Sequence, residues 1–175
     1  MKTIVIYYSK SGNNKYLAEK IAQKLSCDIE LLRPKINAFL FLMLRIGFGN
    51  KKLIHRLTEY DRVILCGPVW MGSLIYPLKS FLTKHLLEIK NLIFVTCCSS
   101  SFDTKDDKYG YNHVFAIVKE IAGEKCTYCE AFPIQMVVPQ EKHNDGEVLM
   151  KARLSDDNFN GEIQEYFNKF IEKIG

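Results

Sequence analysis

Short apolar runs alternate with amphipathic stripes along this chain, and that alternation constrains its fold more than any other feature. Strand-like runs occupy residues 3–8, 28–32, 62–66, 92–97 and 126–131. Between and after them lie Leu17, Ile21 and Leu25; Leu78, Phe81, Leu82 and Leu86; Val114, Phe115, Val118 and Ile121; and Ile163, Phe167, Phe170, Ile171 and Ile174. Apolar residues three and four apart share one face of a helix. The runs Val63-Ile64-Leu65 and Leu92-Ile93-Phe94-Val95 are continuously apolar, as parallel strands covered by helices on both faces are. Five strands alternating with helices predict an α/β fold with an open, doubly wound parallel sheet. A length of 175 residues with no repeats or low-complexity linkers suits a single domain over 1–175.

Charge and cysteine usage narrow the function classes. Lys and Arg number 24 against 20 Asp and Glu, and Lys51-Lys52 is the one adjacent basic pair, so no nucleic-acid footprint is evident. The start of the chain lacks the pattern of a secretory leader, and no apolar stretch reaches the ~20 residues of a membrane span. Six cysteines in that context predict reduced thiols and a cytoplasmic location. Cys126 and Cys129 have CxxC spacing but fall in a strand-like run. Strand alternation sends side chains three apart to opposite faces, so neither a metal clip nor a redox pair is expected there.

In doubly wound sheets, ligands bind beyond the carboxyl ends of the strands, where strand order reverses. The loop after the first strand reads Ser9-Lys10-Ser11-Gly12-Asn13-Asn14-Lys15 and leads into a helix. A helix N-terminus offers unpaired N–H groups and a partial positive charge, which suits a phosphate. Ser9 and Ser11 add hydroxyls, Gly12 permits close backbone approach, and Asn13 and Asn14 add amides. One cap residue is enough to start a helix; five hydrogen-bonding residues in six exceed that need. The sequence holds no GxxxxGK[ST] and no GxGxxG, which disfavours a P-loop nucleotidase and a dinucleotide fold. No cysteine nucleophile lies in the loop, and the third strand ends Leu65-Cys66-Gly67-Pro68 without the aspartate of a phospho-accepting receiver. The expectation is a phosphate held, not transferred.

The third strand is followed by Gly67-Pro68-Val69-Trp70-Met71-Gly72 and then Pro77-Leu78-Lys79-Ser80-Phe81. Trp70 is the sole tryptophan and is placed to stack on a planar ring. The fourth strand runs into Cys97, Cys98 and Ser99, whose small side chains leave backbone N–H groups free to face the edge of such a ring. For the polar stretch 103–108 a solvated loop is expected.

Together these loops resemble the flavodoxin-like FMN-binding family, including flavodoxins and FMN-dependent quinone reductases. Ser9, Ser11, Gly12 and Asn13 match that family's phosphate loop. Gly67, Pro68, Val69, Trp70, Gly72, Pro77, Lys79 and Phe81 match its second loop. The resemblance implies strand order 2-1-3-4-5 and FMN as cofactor, with the phosphate on Ser9, Ser11, Gly12, Asn13, Asn14 and the Lys15 N–H. It places the flavin ring against Pro68, Val69, Trp70, Gly72, Cys97, Cys98 and Ser99. It implies an electron carrier or an NAD(P)H-dependent reductase of a small quinone-like acceptor, with chemistry at the flavin and no catalytic side chain or metal. Asn14 departs from the family's usual threonine, and the weakly basic chain departs from acidic shuttle flavodoxins. Those departures keep open a second class, an interaction module that has lost efficient flavin binding.

Two segments exceed the needs of the fold. Residues 36–48 contain Asn37 and Arg45 as their only polar side chains, so an apolar contact is expected with a second copy, a membrane surface or an apolar substrate. Residues 139–160 form a long connection in which Ser155, Asp156 and Asp157 are expected to cap the last helix.

Overall fold

The computed structural model describes residues 1–36 and 49–175. Its main strands are β1 (Thr3–Tyr7), β2 (Asp28–Leu31), β3 (Arg62–Cys66), β6 (Leu92–Cys98) and β7 (Cys126–Pro133). They form one parallel sheet in the order β2-β1-β3-β6-β7, which counted by main strands alone is 2-1-3-4-5. The helices are α1 (Asn13–Leu25), α2 (Tyr76–His85), α3 (Tyr111–Ala122), the short α4 (Gly146–Lys151) and α5 (Gly161–Ile174). The five-stranded doubly wound sheet expected from the alternation is therefore present.

Side-chain alternation along the strands feeds two cores. Ile4, Ile6, Val63, Leu65, Leu92 and Phe94 pack with Leu78, Phe81, Leu82, Val114 and Val118 of α2 and α3. Val5, Ile64, Ile93 and Val95 pack on the other side with Leu17 and Ile21 of α1 and Ile163, Phe167 and Phe170 of α5. At the amino ends of the strands, buried Arg62 donates to Thr3 Oγ1 and to the Ile174 carbonyl, tying α5 to β1 and β3.

Sequence periodicity missed a hairpin, β4 (Val69–Trp70) and β5 (Ser73–Leu74). Its turn residues Met71 and Gly72 both have positive φ, 49° and 64°, the geometry that matches the twist of two paired strands.

Two expectations change, and a third falls on residues outside those described. The first concerns the CxxC. Leu92 pairs with Cys126 while the next residue, Ile93, pairs with Tyr128, so Thr127 is an extra residue in β7. A bulge shifts alternation by one. Cys126 and Cys129 consequently pack against the same core, with their sulfurs 3.5 Å apart.

The second concerns the last helix. Asn160 precedes α5. Asp156 instead accepts from Tyr16 Oη at 2.9 Å and Lys20 Nζ at 2.7 Å, clamping the 152–158 segment onto α1. Asp145 is the carboxylate that caps a helix, accepting from the N–H groups of Glu147 and Val148 at the start of α4.

The third is one of scope. The apolar 36–48 segment lies, apart from exposed Ile36, outside the described residues. Its flanks meet, with Pro34 and Asn50 forming an antiparallel bridge.

Candidate functional site

The loops leaving β1, β3 and β6 converge at the carboxyl edge of the sheet. The first turns into α1 at Gly12, whose φ of 98° is strained for any residue with a Cβ. Ser9 Oγ accepts the Gly12 N–H at 3.1 Å, which sets the turn and leaves the hydroxyl hydrogen to be given elsewhere. The first hydrogen bond of α1 runs from the Tyr16 N–H to the Gly12 carbonyl at 2.9 Å. The N–H groups of Asn13, Asn14 and Lys15 therefore have no acceptor among the described residues. No acidic residue lies in this first turn, and Ser11 and Lys15 are exposed beside it. The result is a cluster of aligned donors at the positive end of a 13-residue helix.

The side-chain amides of Asn13 and Asn14, expected from sequence as further donors, have partners inside the protein. Both are buried. The Asn14 amide pairs with the backbone of Cys97, accepting from its N–H at 2.8 Å and donating to its carbonyl at 3.0 Å. The Asn13 amide does the same across the other side, donating to Ala152 O at 3.1 Å and accepting from Leu154 N–H at 3.0 Å. These asparagines hold the loop in place, and their backbone N–H groups remain as donors without an acceptor among the described residues.

The second loop provides the aromatic. Pro68 is buried beneath the hairpin, whereas Val69 and Trp70 are half-buried on it. Lys10 Nζ lies 5.4 Å from the Trp70 ring centroid, which joins the first loop to the second. Gly72 joins the second to the third: a Cβ there would stand 2.6 Å from the Lys108 carbonyl oxygen and 3.1 Å from Tyr109 Cα. Its smallness thus serves the packing of the hairpin on the third loop. That loop is shaped by Gly110, where a Cβ would come within 2.0 Å of Lys105 O.

In the third loop only Ser99 of the three expected residues is exposed. Cys97 and Cys98 are the buried last residues of β6, and the backbone of Cys97 is spent on Asn14. Burial pushes the Cys98 thiol up to about 12 and the Cys97 thiol well above its usual value, so both remain protonated at neutral pH. The Cys97 side chain packs in the core with Val95 and Phe132. The sequence overlooked Tyr109, 52% exposed on the third loop and adjacent to the Gly72 turn. Its one signal was an aromatic at the end of a run of polar residues, just before Gly110 and Tyr111.

The chain is thus a doubly wound α/β protein whose carboxyl sheet edge carries a cluster of backbone N–H donors, with a half-buried indole on the neighbouring loop. No family model and no curated protein matches this chain. Solved structures do. It is similar to a flavoprotein in complex with FMN from Lactobacillus acidophilus, at 19% identity and a TM-score of 0.57, covering 74% of this chain and 92% of that one. It is similar over the whole length of both chains to oxidised flavodoxin 1 from Bacillus cereus, at 16% identity and a TM-score of 0.54. The flavodoxin of Streptococcus pneumonia TIGR4 also aligns over 100% of both chains, at 13% identity and a TM-score of 0.51. The fold is flavodoxin-like.

Proposed function

We propose that this protein binds FMN at the carboxyl edge of its sheet and works as a redox flavoprotein. The observation that carries the proposal is the set of unpartnered N–H groups of Asn13, Asn14 and Lys15, linked through Lys10 to the Trp70 ring. The donor set fits a phosphate monoester: backbone N–H groups, the Ser9 and Ser11 hydroxyls, and no carboxylate in the first turn to repel it. Trp70 offers one aromatic face for a flat ring, and exposed Tyr109 on the third loop offers a second. The FMN-bound neighbour and the flavodoxins of the same fold support the choice of ligand. FMN itself supplies the electron and hydride chemistry; the chain binds it, orients it and limits its contact with water.

Both rim thiols are protonated, so neither Cys97 nor Cys98 offers a thiolate nucleophile there. Within the redox class we favour reduction of a small quinone-like acceptor over service to a carrier's protein partner. The weakly basic chain and its apolar 36–48 sequence support that choice. The decisive experiment is a visible titration with FMN and with riboflavin, followed by anaerobic NAD(P)H with and without a soluble quinone. FMN is expected to bind at least about tenfold more tightly, since one charge-assisted hydrogen bond contributes about 1.5–3 kcal/mol. Equal affinities would remove the phosphate seat. A chain that never yellows would instead be an interaction module.

A further inference from the structure

We propose that Cys126 and Cys129 form a reversible intramolecular dithiol/disulfide couple, a second redox centre on the edge strand that exchanges with small disulfides. The proposal rests on the bulge at Thr127, not on the spacing of the cysteines. Without it these sulfurs would sit on opposite faces of β7; with it they lie 3.5 Å apart against one core. A disulfide is about 2.05 Å long, so the sulfurs must close by roughly 1.5 Å. Closure also needs the two Cα atoms within about 7 Å, so the bend falls on the Thr127 bulge of a strand at the border of the sheet, paired among the described strands only with β6. Both side chains are half-buried, unlike the fully buried Cys66, Cys97 and Cys98. Among the described residues no third Cys, His, Asp or Glu joins the pair to hold a metal, which favours redox exchange.

The two sulfurs have different parts. The two sulfurs share one hydrogen bond in which either can donate, and the Lys119 ammonium of α3 favours the thiolate of both. We assign Cys126, the first residue of the strand, as the attacking thiolate and Cys129 as the resolving thiol, an order the trapping variants below test. In the first step the Cys126 thiolate attacks one sulfur of a small disulfide RSSR. An S–S bond forms to Cys126, the RS–SR bond breaks, and RS⁻ leaves. In the second, Cys129 loses its proton and attacks Cys126 Sγ, releasing a second RS⁻. The dithiol is oxidised by two electrons, RSSR is reduced to two thiols, and the two protein protons end on those thiols. A bridge closed within four residues of an extended strand is held in a tight ring, and such bridges are the readily reduced ones.

Cys126 opens β7 at the amino end of the sheet, whereas the three converging loops leave its carboxyl end. The couple is consequently independent of the FMN proposal, and its test needs no flavin. The full-length protein, unfolded by nothing, is equilibrated with oxidised and reduced glutathione, alkylated and cleaved with trypsin. Lys125 and Lys142 bracket a peptide that holds Cys126 and Cys129 and no other cysteine. In the oxidising mixture that peptide is expected to resist alkylation and to be two hydrogens lighter. Dithiothreitol should restore it, and Cys66 should remain free. Its oxidation should be at least about tenfold faster than any modification of Cys66. In the Cys129→Ser variant, one glutathione is expected to remain on Cys126. If both cysteines stay alkylatable in the oxidising mixture, or carry two separate glutathiones, the couple does not exist. If Cys126→Ser traps glutathione on Cys129 faster than Cys129→Ser traps it on Cys126, the assigned order is wrong.

Discussion

Replacing Asn14 with Ala separates two explanations of the first loop. As a phosphate ligand, Asn14 would matter only with FMN present. As the strut seen here, it satisfies the N–H and C=O of buried Cys97 at 2.8 and 3.0 Å, and its loss leaves both groups unpaired in the absence of any ligand. Each buried backbone group deprived of its partner costs about 1–3 kcal/mol, so the pair costs about 2–6 kcal/mol. Water entering the space vacated by the amide moves the cost toward the lower figure. For a chain of this length, about 1 kcal/mol lowers Tm by roughly 2–4 °C, which puts the expected drop at about 4–24 °C, toward the lower end where water enters. Thermal melts of the FMN-free protein by circular dichroism measure it. Asn14→Asp should be at least as damaging, because a carboxylate oxygen would then face the Cys97 carbonyl. A flavin-free Tm within about 2 °C of wild type, combined with a large loss of FMN affinity, would refute the strut and return the amide to the phosphate.

Other substitutions probe the remaining joints of the rim. Trp70→Ala should weaken FMN binding and shift its midpoint potential, read by fluorescence titration and potentiometry; unchanged values would make Trp70 an ordinary packing residue. Gly72→Ala, at φ 64° and facing Lys108 O at 2.6 Å, should lower Tm and loosen the hairpin from the third loop, since left-handed strain alone costs about 1–3 kcal/mol. A melt matching wild type would show that the hairpin shifts freely. Bonds from Lys20 and then Tyr16 hold the Asp156 carboxyl below the usual carboxylate range. Its stabilisation is therefore complete above the unfolded value, near about 4, and is lost as pH falls through the lower folded value. Wild type should lose more Tm between neutral and strongly acid pH than Asp156→Asn; parallel curves would show that the clamp contributes nothing.

The sheet was legible because its central strands are covered on both faces, which writes each as an unbroken apolar run between helical stripes. The hairpin 69–74 was not, since strands of two residues carry no period to detect. The rim was half legible for a different reason. Sequence reveals which donors a loop contains but not which of them the fold has already used. Asn14 finds its partner 83 residues away and Asn13 finds one 139 away, so nothing local distinguishes these amides from the hydroxyls of Ser9 and Ser11. Besides those hydroxyls, the donors that remain are main-chain N–H groups, which every residue but proline possesses and which therefore leave no compositional trace. Cys126 and Cys129 show the same limit in a strand. Alternation is a property of one chain segment, but a bulge is a property of a pair, fixed only when Leu92 and Ile93 select Cys126 and Tyr128 as neighbours. One inserted residue, Thr127, inverts which side chains meet, and with it turns a spacing that argued against redox chemistry into one that permits it.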